Sequence, residues 1–143
     1  MSDAARRILL GILLVGIAGL SLELWLLAHV EDVYQLIPLV LNGVGVIMIA
    51  IVATRPSRGA IRLFQLIMVL FVTSGAVGIL LHYQATTEFQ LEMDPALTGW
   101  ALFRKAIVAK APPALAPGAM TQLGLIGLAY TFRHPVIGSG RTS

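Results

Sequence analysis

Four apolar runs, each long enough to cross a bilayer or close to it, limit this chain more than any motif does. They cover residues 8–28, 36–54, 63–81 and 114–132. The first contains one charge, Glu23, and the others contain none. A helix needs about 20 mainly apolar residues to span the hydrocarbon. Helices are the default there, because backbone polar groups in lipid must be satisfied within the segment. The runs are too continuous for barrel strands, which alternate apolar and polar residues. Only 12% of the 143 residues are charged and 57% are hydrophobic. Soluble domains carry about a quarter charged residues, so a lipid-facing surface is the simpler expectation. The expected fold is all-α: one domain, a polytopic bundle of four transmembrane helices.

A basic start followed by an apolar run is also how a signal peptide begins. Here the run is long, and no small-x-small cleavage site interrupts it before Glu23. It is expected to stay as the first transmembrane helix. The charges then sort by side. Arg6, Arg7, Arg55, Arg58, Arg62, Arg133 and Arg141 fall on one side of the alternating spans, and six of the seven acids fall on or near the other. The positive-inside rule places both termini in the cytoplasm. The setting expected is a bacterial inner membrane, with the acidic loops outside. The same arginines suit anionic lipid headgroups. Nucleic acid is not implied, because the basic residues follow topology rather than forming one patch.

The long outer connection between the third and fourth spans has its own pattern. In "TTEFQLEMD", Phe89, Leu91 and Met93 alternate with Glu88, Gln90, Glu92 and Asp94. A period of two predicts a short extended segment with an acidic face. Asp94-Pro95 then reads as a helix start, Asp at the N-cap and Pro at the first position. The helix expected over residues 95–110 carries Trp100, Phe103 and Ile107 at helical spacing, with Arg104 and Lys105 in its later half. A basic amphipathic helix with a tryptophan suits the headgroup layer or the mouth of the bundle.

Within lipid, helices associate through close packing and interhelical hydrogen bonds. Gly16 and Gly19 in the first span, Gly45 in the second, Ser74 and Gly78 in the third, and Gly124 and Gly127 in the fourth are the small residues expected at helix contacts. Asn42, Gln65 and Gln122 are amides expected to find partners across helices.

The chemistry-bearing residues gather on the outer side. His29, Glu31 and Asp32 lie at the turn between the first two spans, His82 at the outer end of the third, and Glu88, Glu92 and Asp94 beyond it. Exposure to water alone justifies such a cluster. His29 and Asp32 share a helical face at i, i+3 spacing, and with His82 they form a candidate set for Zn²⁺, Cu²⁺, Ni²⁺ or iron. His29 and His82 are also candidate axial ligands of a b-type haem, or single ligands of a chlorophyll-like pigment. Glu23 is the sharper anomaly, an acid within an apolar span. Such residues usually face the bundle interior and mark ion or substrate paths. Asn42 is its candidate partner in a proton or cation site. His134, before Pro135, is expected to end the last helix.

There is no cysteine, which excludes disulfides, thiolate metal sites and thiol nucleophiles among these residues. No phosphate-binding loop or nucleophile motif is present, so enzymatic activity has no positive support. The sequence requires no cofactor. The leading expectation is a non-enzymatic accessory or scaffold subunit of a larger membrane complex, with the bilayer and other membrane subunits, or copies of itself, as partners. The rivals are an autonomous cation- or proton-handling protein and a haem- or pigment-binding subunit.

Overall fold

The computed structural model describes residues 1–27, 33–108 and 115–138. Among them the chain is helical, with no strand. The helices are α1 (Asp3–Leu26), α2 (Val33–Thr54), α3 (Arg58–Met93), α4 (Gly99–Ile107), α5 (Leu115–Thr131) and the short α6 (Pro135–Gly138). Three of them, α1, α2 and α3, are long and apolar enough to cross a membrane. These helices mark an integral membrane protein. At 17 residues α5 is shorter than these three, roughly 25 Å at 1.5 Å per residue.

The helix starts follow ordinary capping chemistry. The Ser2 hydroxyl accepts from the Ala5 N–H at 3.2 Å and the Ser57 hydroxyl from the Ala60 N–H at 3.1 Å, each satisfying a donor that the first turn leaves unpaired. Pro56 precedes the second of these caps and separates α2 from α3. Along α1 the buried positions are Arg6, Leu10, Leu13, Ile17, Leu20 and Leu24. Their spacing of four and three defines a single stripe on one side of the helix.

α1, α2, α3 and α5 pack as a ring, each against two neighbours, and the α3–α5 seam is the most extensive contact. Leu13, Ile17, Val52, Ile61, Phe64, Met68 and Phe71 fill the middle of the ring. Phe64 meets Tyr130 edge to face, with ring centroids 5.6 Å apart, an arrangement that aromatic quadrupoles favour. The α3–α5 seam is close because it lacks side chains. A Cβ on Gly75 would lie 2.5 Å from the Pro117 carbonyl oxygen, and one on Gly124 2.7 Å from the Met68 carbonyl oxygen. Gly127 faces Met68, Gly78 faces Pro117, Gly16 faces Leu123, and Gly45 sits against Phe71 and Ile17. Gly19 departs from the expected packing role: it lies on the outer surface of α1, and a Cβ there would meet nothing within 4 Å. Gly75 is the contact the sequence did not single out.

The connection between the third and fourth apolar runs is where the structure corrects the sequence reading. The extended segment does not exist: residues 86–93 continue α3, which runs for 36 residues, roughly 54 Å of helix. The alternation spans too few residues to compete with a run of helix-compatible Glu, Gln, Leu and Met without Gly or Pro. The half-buried positions Thr86, Thr87, Gln90, Leu91 and Asp94 have helical spacing. The Thr86 and Thr87 hydroxyls donate to the His82 and Tyr83 carbonyls, both at 2.7 Å. His82 is therefore inside α3, not at its end. Asp94 ends α3 rather than starting the next helix. Pro95 holds it extended, at φ −148° and ψ 89°, and its carboxylate accepts from the Ala96 N–H at 3.2 Å. α4 begins only after this turn, at Gly99, whose φ of +53° suits glycine.

Candidate functional site

One end of the ring is tied together by a buried polar knot. Arg6, 7% exposed, donates from Nη1 to the Tyr130 carbonyl at 2.7 Å and from Nη2 to the Arg133 carbonyl at 2.9 Å. The last carbonyls of a helix have no partner within it, and a guanidinium fork supplies both a matching geometry and a charge suited to that end of the dipole. Gln65 of α3 donates to the Thr131 hydroxyl at 3.0 Å, and that hydroxyl donates to the Leu128 carbonyl. Arg58 donates to the Val136 carbonyl at 3.2 Å. A second chain of hydrogen bonds runs through His134. Its Nδ1 accepts from the Val136 N–H at 3.4 Å, which leaves the neutral ring's proton on Nε2, 3.4 Å from the Tyr130 hydroxyl. That hydroxyl donates in turn to the Val52 carbonyl of α2. Burial pushes the His134 pKa down, the Arg6 guanidinium adds to this, and Asp3 opposes it. The beginnings of α1 and α3 and the ends of α2 and α5 thus meet at one end, with Arg7, Arg55, Arg58, Arg62 and Arg133 exposed around the knot.

The opposite end is less tightly filled among the described residues. A cleft of about 530 Å³ lies between the later half of α1, the start of α2, the middle of α3 and the start of α5. Leu20, Leu24, Ile37, Val77, Leu81 and Met120 give it an apolar wall, and Tyr34, Gln35, Ser74 and His82 are its polar members. Pro38 and Pro117 also line it, each at a helix position where a backbone N–H is missing. A second, almost wholly apolar groove of about 570 Å³ runs down the outer surface between α2 and α3. Ile37, Ser74 and Val77 line both, so the two hollows share a wall.

The described candidate residues from the sequence do not form one centre. His29, Glu31 and Asp32 lie outside the described residues, and with them two members of the proposed metal set and one of the proposed haem ligands. His82 borders the cleft. Among the described residues no group of three metal-ligating side chains converges. Glu23 points away from the ring and is exposed, whereas Asn42 is 2% exposed and faces into it. Asn42 donates to the Ser21 hydroxyl at 2.9 Å, which donates to the Ile17 carbonyl at 2.7 Å. The proposed Glu23–Asn42 pair is therefore not assembled: the helix turns Ser21, not Glu23, toward α2. Glu88 and Glu92 are exposed along the C-terminal part of α3.

Asp94 forms an ion pair with Lys105 at 3.8 Å, folding α4 back along α3. α4 rests on α3 through Leu102 and the fully buried Ala106. Phe103 stacks on Trp100, with centroids 5.1 Å apart, and meets Tyr83 of α3 at 6.0 Å. Trp100, Phe103 and Ile107 remain exposed along one side of α4, and Arg104 and Lys105 lie beyond them. No protein-family model, curated protein or solved structure matches this chain.

Proposed function

We propose that the protein is a small, non-enzymatic accessory or scaffold subunit of a larger membrane complex. In this reading α1, α2, α3 and α5 all cross the bilayer, with the arginine-ringed knot on the cytoplasmic side and the α3–α4 hairpin outside. The exposed arginines around one end support that orientation. The absence of charge in α5 supports a fourth span.

The observation that carries the subunit reading is the outward face of α1. A Cβ added at Gly11 or Gly19 would meet nothing within 4 Å, and Val15, Ala18, Leu22 and Glu23 lie exposed beside them. Small residues permit close helix approach in lipid, and none of the described residues of this chain packs against these two. A carboxylate on the same face favours a partner that offers it a donor. The separation of Glu23 from Asn42 favours this reading over an internal proton or cation site.

The test is affinity purification of tagged protein from its source cell in mild detergent. A constant stoichiometric membrane partner is expected, and Gly19→Leu should release it while the purified variant keeps wild-type helicity. Glu23→Gln should keep the partner. A chain that elutes alone, or only with copies of itself, overturns the reading. Loss of ion flux in folded Glu23→Gln would favour the rival.

A further inference from the structure

The three amides within the apolar runs do not fare alike. Asn42 donates to Ser21 and Gln65 to Thr131, each across a helix contact. Gln122 is exposed and makes no hydrogen bond among the described residues. It lies near the middle of α5, roughly 10 Å or more from either end at 1.5 Å per residue. Its neighbours Leu123 and Gly124 pack on Gly16 of α1 and on Met68 and Val72 of α3, near the middles of those spans. A glutamine side chain cannot reach water from there, and hydrocarbon offers an amide no partner. Gln122 also sits on a regular seam. α5 packs its other sides against α1 and α3 and keeps Leu115, Gly118, Gln122, Leu125 and Ala129 on its outer side. Their steps of three, four, three and four are the spacing along which two helices pack in a left-handed crossing. A Cβ on Gly118 would meet nothing within 4 Å, so the surface one turn from Gln122 is open to close approach.

We infer that α5 pairs with α5 of a second copy of this chain, the Gln122 amides of the two copies hydrogen-bonded to each other. This rests on α5 crossing the bilayer but not on the subunit reading, whose face is α1. Two copies inserted with the same topology are related by a two-fold axis along the membrane normal. Their α5 helices then run parallel, and each outward residue meets its own equivalent. A primary amide carries both donors and an acceptor, so two identical amides satisfy each other, each NH2 donating to the other's carbonyl. An acyl chain lying on this face would leave both groups of the amide unpaired. A single polar residue on an otherwise apolar seam also sets register and oligomer state.

The test is disulfide cross-linking of the full chain, which has no cysteine of its own, in membranes of its source cell. Gly118→Cys and Leu125→Cys should each join two copies on oxidation. Val15→Cys on α1 and Val69→Cys on α3, also exposed within their spans, should not. In the Leu125→Cys background, Gln122→Leu should lower the dimer yield about fivefold, the worth of roughly one interhelical hydrogen bond. Gln122→Asn keeps the amide and should keep most of the yield. Gln122 is exposed, so neither substitution disturbs packing within one chain. No dimer at Gly118 or Leu125, equal yields at all four positions, or an undiminished yield with Gln122→Leu overturns the proposal. So does a cross-linked product that contains a different polypeptide in place of the second copy. Labelling of Gln122→Cys by a water-soluble maleimide in open membranes overturns it by a separate route, since that puts the amide in water and α5 outside the bilayer.

Discussion

Arg6 shows how one side chain can serve two purposes. As a positive charge near the start of an apolar helix it reads as a topology signal, and nothing in its neighbours suggests more. In the fold it closes the far end of α5, 124 residues away. Its two short hydrogen bonds to carbonyls are charge-assisted, a type that contributes about 1.5–3 kcal/mol each. Arg6→Met should therefore lower unfolding stability by about 2–4 kcal/mol, part of the loss being recovered by water at the exposed rim. Arg6→Lys keeps the charge but not the fork, and should recover less than half. Denaturant titration in detergent measures both. His134 gives the knot a pH dependence. Its folded pKa lies below the ordinary histidine value of about 6.5, so between the two values the unfolded chain binds more protons. Stability is then fully present above about pH 6.5 and falls as pH drops toward the folded value. The cause is burial first, then repulsion from Arg6. His134→Gln should flatten the profile between pH 7 and 5, seen as a melting temperature that no longer falls on acidification.

At the scale of the helix, the apolar runs were legible because lipid imposes length and continuity, and α1, α2 and α3 all follow their predicted runs. What lay outside those runs was not legible in the same way. Residues 86–93 alternate over too short a stretch for period alone to choose between strand and helix, and the choice falls to continuity with the helix before them. Asp94-Pro95 has the residues of a helix start, but a proline constrains the residue before it just as strongly, and here that constraint ends α3. The small residues were visible, yet their partners were not: sequence spacing cannot distinguish Gly75, wedged against the α5 backbone, from Gly19, which faces outward. Asn42 was legible as a buried amide, but which α1 residue faced it depended on helix rotation, and Ser21 won over Glu23. The glycine contrast makes a paired prediction. Gly75→Ala adds a methyl group against backbone atoms of Pro117 and Thr121 that cannot move aside. It should cost about 1–3 kcal/mol, the usual range for overpacking. Gly19→Leu meets nothing and should change stability by less than about 0.5 kcal/mol. Thermal unfolding of the two variants side by side checks the assignment of inner and outer faces.

For the whole molecule, asymmetry between the two ends is the organising property. One end is tied by hydrogen bonds between α1, α2, α3 and α5 and ringed by arginines; the other, among the described residues, borders a cleft and carries a helical hairpin beyond it. A long α3 produces both features, since it runs past the ring and brings α4 back along itself. In the proposed placement the two ends belong on opposite sides of the bilayer, and the arginines favour the cytoplasm for the knot. The chain has no cysteine, so single cysteines report cleanly. Ser57→Cys, at the cap of α3 on the arginine end, should be protected from a membrane-impermeant maleimide in intact cells and labelled after permeabilisation. Thr98→Cys, in the turn before α4, should be labelled without permeabilisation. Labelling of both positions in intact cells would break the four-span arrangement, because α3 alone separates the two positions and its single crossing must put them on opposite sides. Reversed labelling would keep the architecture and invert the orientation, placing the arginine-ringed end outside.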